Sequence, residues 1–207
     1  MASLFFGTLI AVMRKSGIRP LRVLGRLYVE IFRNIPGLFW LLFFYFVFPE
    51  ILPFGLGNSL NEYIYYPIVA SIIALTLDNA SYVSDIIRSG LYAIPHSQRE
   101  AAISTGLNRL QQYQYVILPQ AFRKILPPLG TRMIHNFKNT SLCMAITAPE
   151  LMWATQQIES LTFRGLEVTT IATGFYIGFS LFLGAVIILL EKYYKIDIAS
   201  ITYIEAN

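Results

Sequence analysis

The chain has 207 residues, 55% hydrophobic and only 14% charged, with a mean hydropathy of +0.54, which excludes an ordinary soluble domain, where about a quarter of residues carry charge. Its formal charge of +4 calls for no nucleic acid, because cationic residues gather in the cytoplasmic loops of membrane proteins. The single cysteine, Cys143, excludes a disulfide framework and a thiolate metal site, and the sequence holds no glycine-rich P-loop, HExxH or GxSxG.

An integral membrane bundle is therefore expected, and the elements follow in chain order. Leu4–Met13 is apolar but covers only about half of the roughly 20 residues that span a bilayer. Arg14 and Lys15 follow it, whereas a signal peptide carries its charges first. A truncated first span, a start codon assigned too late and an interfacial helix all fit; a first span missing its outer half is the expectation. Residues 14–33 are amphipathic and basic, with Arg14, Lys15, Arg19, Arg22, Arg26 and Arg33 against one Glu30. Pro20 suits a helix start, and Leu21, Leu24, Tyr28 and Ile31–Phe32 follow helical spacing. Pro36 then kinks or restarts the helix, and the uncharged stretch 34–49 completes a second span.

Residues 49–66 hold the turn residues Pro53, Gly55, Gly57, Asn58 and Ser59, two glutamates and no Lys or Arg. Tyrosines cluster at the edges of this loop, as interfacial aromatics do. A third span is predicted over residues 67–87, turning polar from Thr76. Residues 88–119 form the longest polar passage of the chain, without proline between Pro95 and Pro119, and must lie in water. The fourth span, 125–145, starts with Pro127–Pro128 in its first turn and is interrupted by Arg132, His135, Asn136, Lys138 and Asn139, so it faces protein or water. A short outer helix and loop is expected over 148–164, and the fifth span, Val168–Leu190, has 23 uncharged residues before Lys192 and Lys195.

Cation counting orients the bundle. Residues 14–33 hold six, 88–124 five and the tail two, so 13 of the 16 share one side if five spans alternate. The positive-inside bias places the long loop and the C-terminus in the cytoplasm and the N-terminus outside.

The long loop carries a motif. Glu100-Ala101-Ala102, three residues, Gly106, nine residues and then Val116-Ile117-Leu118-Pro119 resembles the EAA loop of ABC importer permeases, with Val116 in place of isoleucine. Further stretches resemble steps of the polar amino acid permeases: Arg33-Asn34-Ile35-Pro36, Tyr82 to Gly90, Pro119-Gln120-Ala121-Phe122-Arg123, Leu126-Pro127-Pro128-Leu129 and Lys138-Asn139-Thr140-Ser141-Leu142. The match runs from about residue 20 to 195. Family members have a full first span, and Asp85 stands where glutamate is commoner.

The resemblance implies an all-α, type I importer permease of about five spans, the first truncated, as one transmembrane domain over 1–207 with a cytoplasmic coupling helix within 88–119. It implies a bacterial inner-membrane protein that imports a polar amino acid by alternating access. The implied partners are ABC ATPase subunits, a second permease subunit (identical or a paralogue), an extracytoplasmic solute-binding protein and lipid. ATP and Mg belong to the ATPase, and this chain is no enzyme. Glu100, Ala101, Ala102, Gly106, Leu118 and Pro119 would couple to the ATPase. Gly106 caps the first helix, the small alanines allow close docking, and Glu100 meets a donor on the partner; the blander reading of Glu100 is a solvated loop carboxylate.

Two polar stripes are candidates for the solute pathway. Asp78, Tyr82 and Asp85 share one helix face, with Asn79 beside them; Arg132, His135, Asn136 and Asn139 share another. A zwitterionic amino acid wants a carboxylate for its ammonium and guanidinium or amide donors for its carboxylate. Structural readings compete. Asp85 is solvated or pairs with Arg88, Arg132 pairs with Asp78 or Asp85, the asparagines hold helices together, and His135 packs. Glu150 is a further candidate in the outer loop. Arg132 tilts the reading toward acidic amino acids. The rivals are a permease for another small solute, a structural or signalling subunit, and a membrane-embedded hydrolase built on Asp78, Asp85, His135 and Ser141.

Overall fold

The computed structural model describes residues 1–53 and 56–194; Gly55, Lys195 and the rest of the tail lie outside the described residues. The described residues are helices and connecting turns, without strands. Their contacts cluster in two units. One comprises Met1–Asp85 with Arg132–Ser180, the other Ile86–Thr131 with the residues from Leu181 on.

In the first unit, α1 (Ala2–Lys15) packs on α2 (Arg19–Asn34), which opens with Pro20 in its first turn. Proline disfavours helical backbone in the residue before it, and Ile35 is extended (φ −105°, ψ 129°), so α2 stops at Asn34. Pro36 then caps α3 (Gly37–Ile51), its carbonyl accepting from Phe39 N at 2.9 Å. The axis bends by 103° between α2 and α3. Phe32 stacks on Trp40 at 4.2 Å and Tyr28 lies tilted against Phe32 at 4.5 Å, so a row of aromatic rings braces the elbow. A π-helical turn, Phe43–Val47, interrupts α3. Its Phe44 joins Leu41, Tyr66, Ala70, Ala74, Cys143 and Ile146 in a buried cluster, and Tyr66 Oη donates to the freed Phe44 carbonyl at 2.5 Å. A smaller cluster of Ile10, Val29 and Ala80 fixes α1 and α2. After α4 (Leu56–Asn61) comes α5, Tyr66–Tyr92.

Helix α5 runs five residues beyond the predicted end at Ile87. Arg88 ends the apolar stretch but not the helix, since arginine is a good helix former. In the second unit the passage expected as a long loop is mostly helical: α6 (His96–Ser104), then α7 (Arg109–Gln111), which continues through a π-helical turn, Gln112–Ile117, into α8 (Leu118–Asn139). Pro127 and Pro128 are therefore interior to a helix, not in its first turn as predicted. The helix had already been started by the capping box of Asn108 and Gln111, whose reciprocal bonds are both 3.0 Å. Ile94, Ile117, Ala121 and Ile125 form this unit's core with Ile86, Ile87 and Leu91 packed against it. Burying Ile94 or Ile117 is worth roughly 2 kcal/mol each relative to exposure.

Back in the first unit, a 3₁₀ turn (Thr140–Ile146) ends the predicted fourth span, and α9 (Leu151–Thr162) is the short helix expected there. Helix α10 (Gly165–Tyr193) carries the fifth span. By length and composition α5 and α10 can each cross a membrane, and the bent pair α2–α3 passes as one further span. Helix α8 fails that measure because of its polar residues, and α1 because it has 14 residues.

Gly90 and Gly174 make a matched test of the packing. A Cβ on Gly90 would run into the Ile125 side chain, whereas nothing stands within 4 Å of one on Gly174. Gly90→Leu is expected to cost about 1–3 kcal/mol of overpacking, read as a lower thermal midpoint in detergent, and Gly174→Leu to leave that midpoint in place.

Candidate functional site

Asp78 and Asn79 sit side by side on α5, and both are buried. Arg132 reaches them from α8: Nη2 donates to Asp78 Oδ2 at 2.9 Å and Nε to Asn79 Oδ1 at 2.5 Å. The guanidinium lies over the Tyr82 ring, with Cζ 3.6 Å from the centroid. Asp78, Asn79, Tyr82 and Arg132 thus form one cluster, and the ion pair is almost closed to solvent, with side-chain exposures of 14% and 6%. Asn79 also donates to Ser3 Oγ at 3.0 Å, and Tyr28 Oη donates to the Leu77 carbonyl at 2.8 Å.

One turn further along, Asp85 does not use Arg88. Arg14 Nη1 donates to its Oδ1 at 2.6 Å and to Ser84 Oγ at 3.2 Å, and Arg33 donates to its Oδ2. Arg88 instead lies over Tyr92, 5.3 Å from the ring centroid. Arg14, Arg33 and Ser84 are the partners that sequence reasoning missed. The basic amphipathic pattern of residues 14–33 was the available signal, but sequence separations of 71 and 52 residues hide the pairing.

The rest of the second stripe is less committed. His135 is exposed, Asn136 and Asn139 are half-buried, and Asn136 Oδ1 is a buried acceptor without a protein partner. Glu150 has a structural job as the N-cap of α9. It accepts from Met152 N at 2.9 Å, Trp153 N at 2.6 Å and Tyr176 Oη at 3.0 Å. It also lines a cavity of about 340 Å³ with Phe137, Phe175, Tyr176 and Phe179. The hydrolase constellation is not assembled. Asp78 and Asp85 are held by arginines, and Ser141 Oγ donates to the Lys138 carbonyl at 2.8 Å.

The Glu100-Ala101-Ala102 segment lies within the second unit. Glu100 lies on α6, its side chain 65% exposed and paired with His96 Nδ1 at 3.1 Å. Gly106 follows the helix end at φ +74°, the left-handed conformation that glycine adopts without a Cβ penalty. Its N–H donates to the Ile103 carbonyl at 2.9 Å, and Thr105 Oγ1 takes the Ala102 carbonyl at 2.9 Å. Leu118 and Pro119 are exposed, as is Ala101, but Ala102 is 4% exposed. The second alanine therefore packs inside this chain.

A family model described as binding-protein-dependent transport system inner membrane component matches residues 3–196. The chain belongs to this family. The probable glutamine ABC transporter permease protein GlnM of Bacillus subtilis (strain 168) is 32% identical over 190 residues, 92% of this chain and 83% of that protein. The glutamate/aspartate import permease protein GltK of Escherichia coli O157:H7 is 34% identical over 170 residues, 78% of this chain and 75% of that one. The crystal structure of an amino acid ABC transporter with histidines superposes with a TM-score of 0.82 at 30% identity, covering 93% of this chain and 85% of that one. The fold is that of the type I ABC importer permeases, and the family's members are transport components, not enzymes.

The buried pair gives a direct stability test. Asp78→Asn strips Arg132 of its counter-charge and is expected to cost on the order of 3 kcal/mol. Asp78→Asn combined with Arg132→Gln is expected to recover part of that loss, so a double-mutant cycle followed by thermal unfolding in detergent should return a clear coupling energy.

Proposed function

We propose that this chain is the membrane permease subunit of an ATP-driven, binding-protein-dependent importer of a polar amino acid of the glutamine and glutamate/aspartate group. The observation that carries the reading is the EAA segment: an exposed carboxylate, Glu100, on a short helix that Gly106 closes at positive φ, in a chain of this transport family. Residues 1–207 act as one permease domain, with 88–119 as its cytoplasmic coupling segment. Glu100, Ala101, Gly106, Leu118 and Pro119 meet the ATPase subunit, which binds ATP and Mg; the buried Ala102 supports them from within. Asp78, Asn79, Tyr82, Asp85, Arg132, His135, Asn136 and Asn139 line the solute path, and Glu150 shapes its outer end.

The protein sits in the bacterial inner membrane with a second permease subunit, its N-terminus outside and its C-terminus in the cytoplasm. A loaded binding protein docks outside, closure of the ATPase dimer moves the coupling segments, and the path opens outward before hydrolysis resets it. No covalent bond to the solute forms. Acidic amino acids come first among substrates, because Arg132 adds a guanidinium to an otherwise dipolar site.

In proteoliposomes carrying the permease, ATPase and binding protein, Glu100→Lys or Gly106→Asp is expected to abolish transport while ATP hydrolysis persists; normal transport by both variants would remove the coupling role. Competition among glutamate, aspartate, glutamine and lysine for uptake tests the substrate. Glutamate and aspartate should compete best, glutamine ahead of them would move the assignment to the amide, and lysine ahead of them would overturn it.

A further inference from the structure

The cluster on α5 holds more guanidinium than carboxylate. Among the described ion pairs, Arg14 and Arg33 share Asp85 while Arg132 holds Asp78. The three cations are not equivalent. Arg132 is spent on Asp78 and Asn79 in a nearly closed setting. Arg14, with 7% side-chain exposure, is bound to Asp85 and Ser84 and neutralises Asp85 alone. Arg33 is the third, 45% exposed, on the other oxygen of a carboxylate that already has its counter-ion. Its guanidinium also stands 5.3 Å from the centroid of Tyr82, the ring that Arg132 covers.

Position adds to charge. Arg33 is the penultimate residue of α2, two residues before the extended Ile35 and the 103° bend into α3. A side chain at a helix end beside a sharp bend can change partner with little rearrangement of the helix itself. We propose that Arg33 is a carboxylate receptor on the solute path. It leaves Asp85 to take the α-carboxylate of the transported amino acid as a bidentate pair beside Tyr82, while Arg14 keeps Asp85 neutral. This rests on the importer reading above and names a residue for it. Arg33 is a solute contact, and Arg14 is the positioning residue that makes the exchange cheap.

The test uses the purified complex of the full-length permease and its ATPase in detergent. Binding of L-glutamate and L-glutamine is measured by calorimetry against γ-aminobutyrate and glutamine α-amide, which lack the α-carboxylate. Wild type should prefer the α-carboxylates. Arg33→Gln should weaken binding of both amino acids roughly tenfold and erase their advantage over the two analogues, and Arg33→Lys should restore part of it. ATPase copurification with both variants checks that the bundle is intact. If Arg33→Gln binds amino acid and analogue in the wild-type ratio, or if Arg33→Lys behaves like Arg33→Gln while wild type shows no preference, the inference falls and the importer reading stands. If the wild-type complex binds none of the four solutes, the inference falls and the importer reading is left to its own transport test.

Discussion

Ionised groups inside a helical bundle persist only in company. Removing a carboxylate or a guanidinium from water costs several kcal/mol per ion even after relaxation, and a close, hydrogen-bonded counter-charge is what offsets it. Two such pairs define the first unit: Asp78 with Arg132, and Asp85 with Arg14 and Arg33. Each carboxylate comes from α5, and the cations come from α1, α2 and α8. Helix α5 is therefore the electrostatic spine to which three other helices are tied. Its neighbouring small residues serve the same end: Ala80, Ser81 and Ser84 are fully buried and let the flanking helices approach closely.

The same constraint explains why α8 is so poor in apolar residues. Its Arg132 is needed on the face that meets α5, and a helix that supplies a guanidinium to a buried ion pair cannot also present an unbroken apolar surface. Helix α10 is the opposite case. Its Ile171, Phe175, Ile177, Phe179, Leu181 and Phe182 are all more than half exposed, the pattern of a helix whose surroundings are themselves apolar.

What could be read in advance followed from local chemistry. Pro36 as the breaking point, Gly106 as the helix stop, and the apolar 23-residue run within α10 are each dictated by the residue in place and its immediate neighbours. The structure differs from the sequence expectation at Arg88 and at Pro127–Pro128 for one reason: hydropathy does not mark where a helix begins or ends. Arg88 ends the apolar run of α5 yet leaves the helix intact, and Pro127–Pro128 look like a start only if the capping box at Asn108 is overlooked. On the site side, helical spacing put Asp78 and Tyr82 on one face of α5, and Arg132 touches both. Spacing could not show that Asp85 belongs to Arg14 and Arg33, that Glu150 caps α9, or that Ala102 points inward. The first and last depend on which helices meet, whereas the cap lies within residues 150–153 and is local.

Pairing would also limit how such a cluster could hold the zwitterionic solute proposed above. If every carboxylate and guanidinium were free, an amino acid would find strong, unopposed partners and leave slowly. With Asp78 on Arg132 and Asp85 on Arg14, a solute gains an ionic contact only by replacing one that already exists, so the net free energy is the difference of two similar terms. Weak, exchange-type binding of that kind suits a path through which solute must pass. A site that bound tightly would add its own release barrier to each cycle, whereas one that swaps partners keeps the charges compensated at every stage. The half-exposed Arg33 is the place in the cluster where such a swap strands no buried charge, because Asp85 retains Arg14 after Arg33 departs.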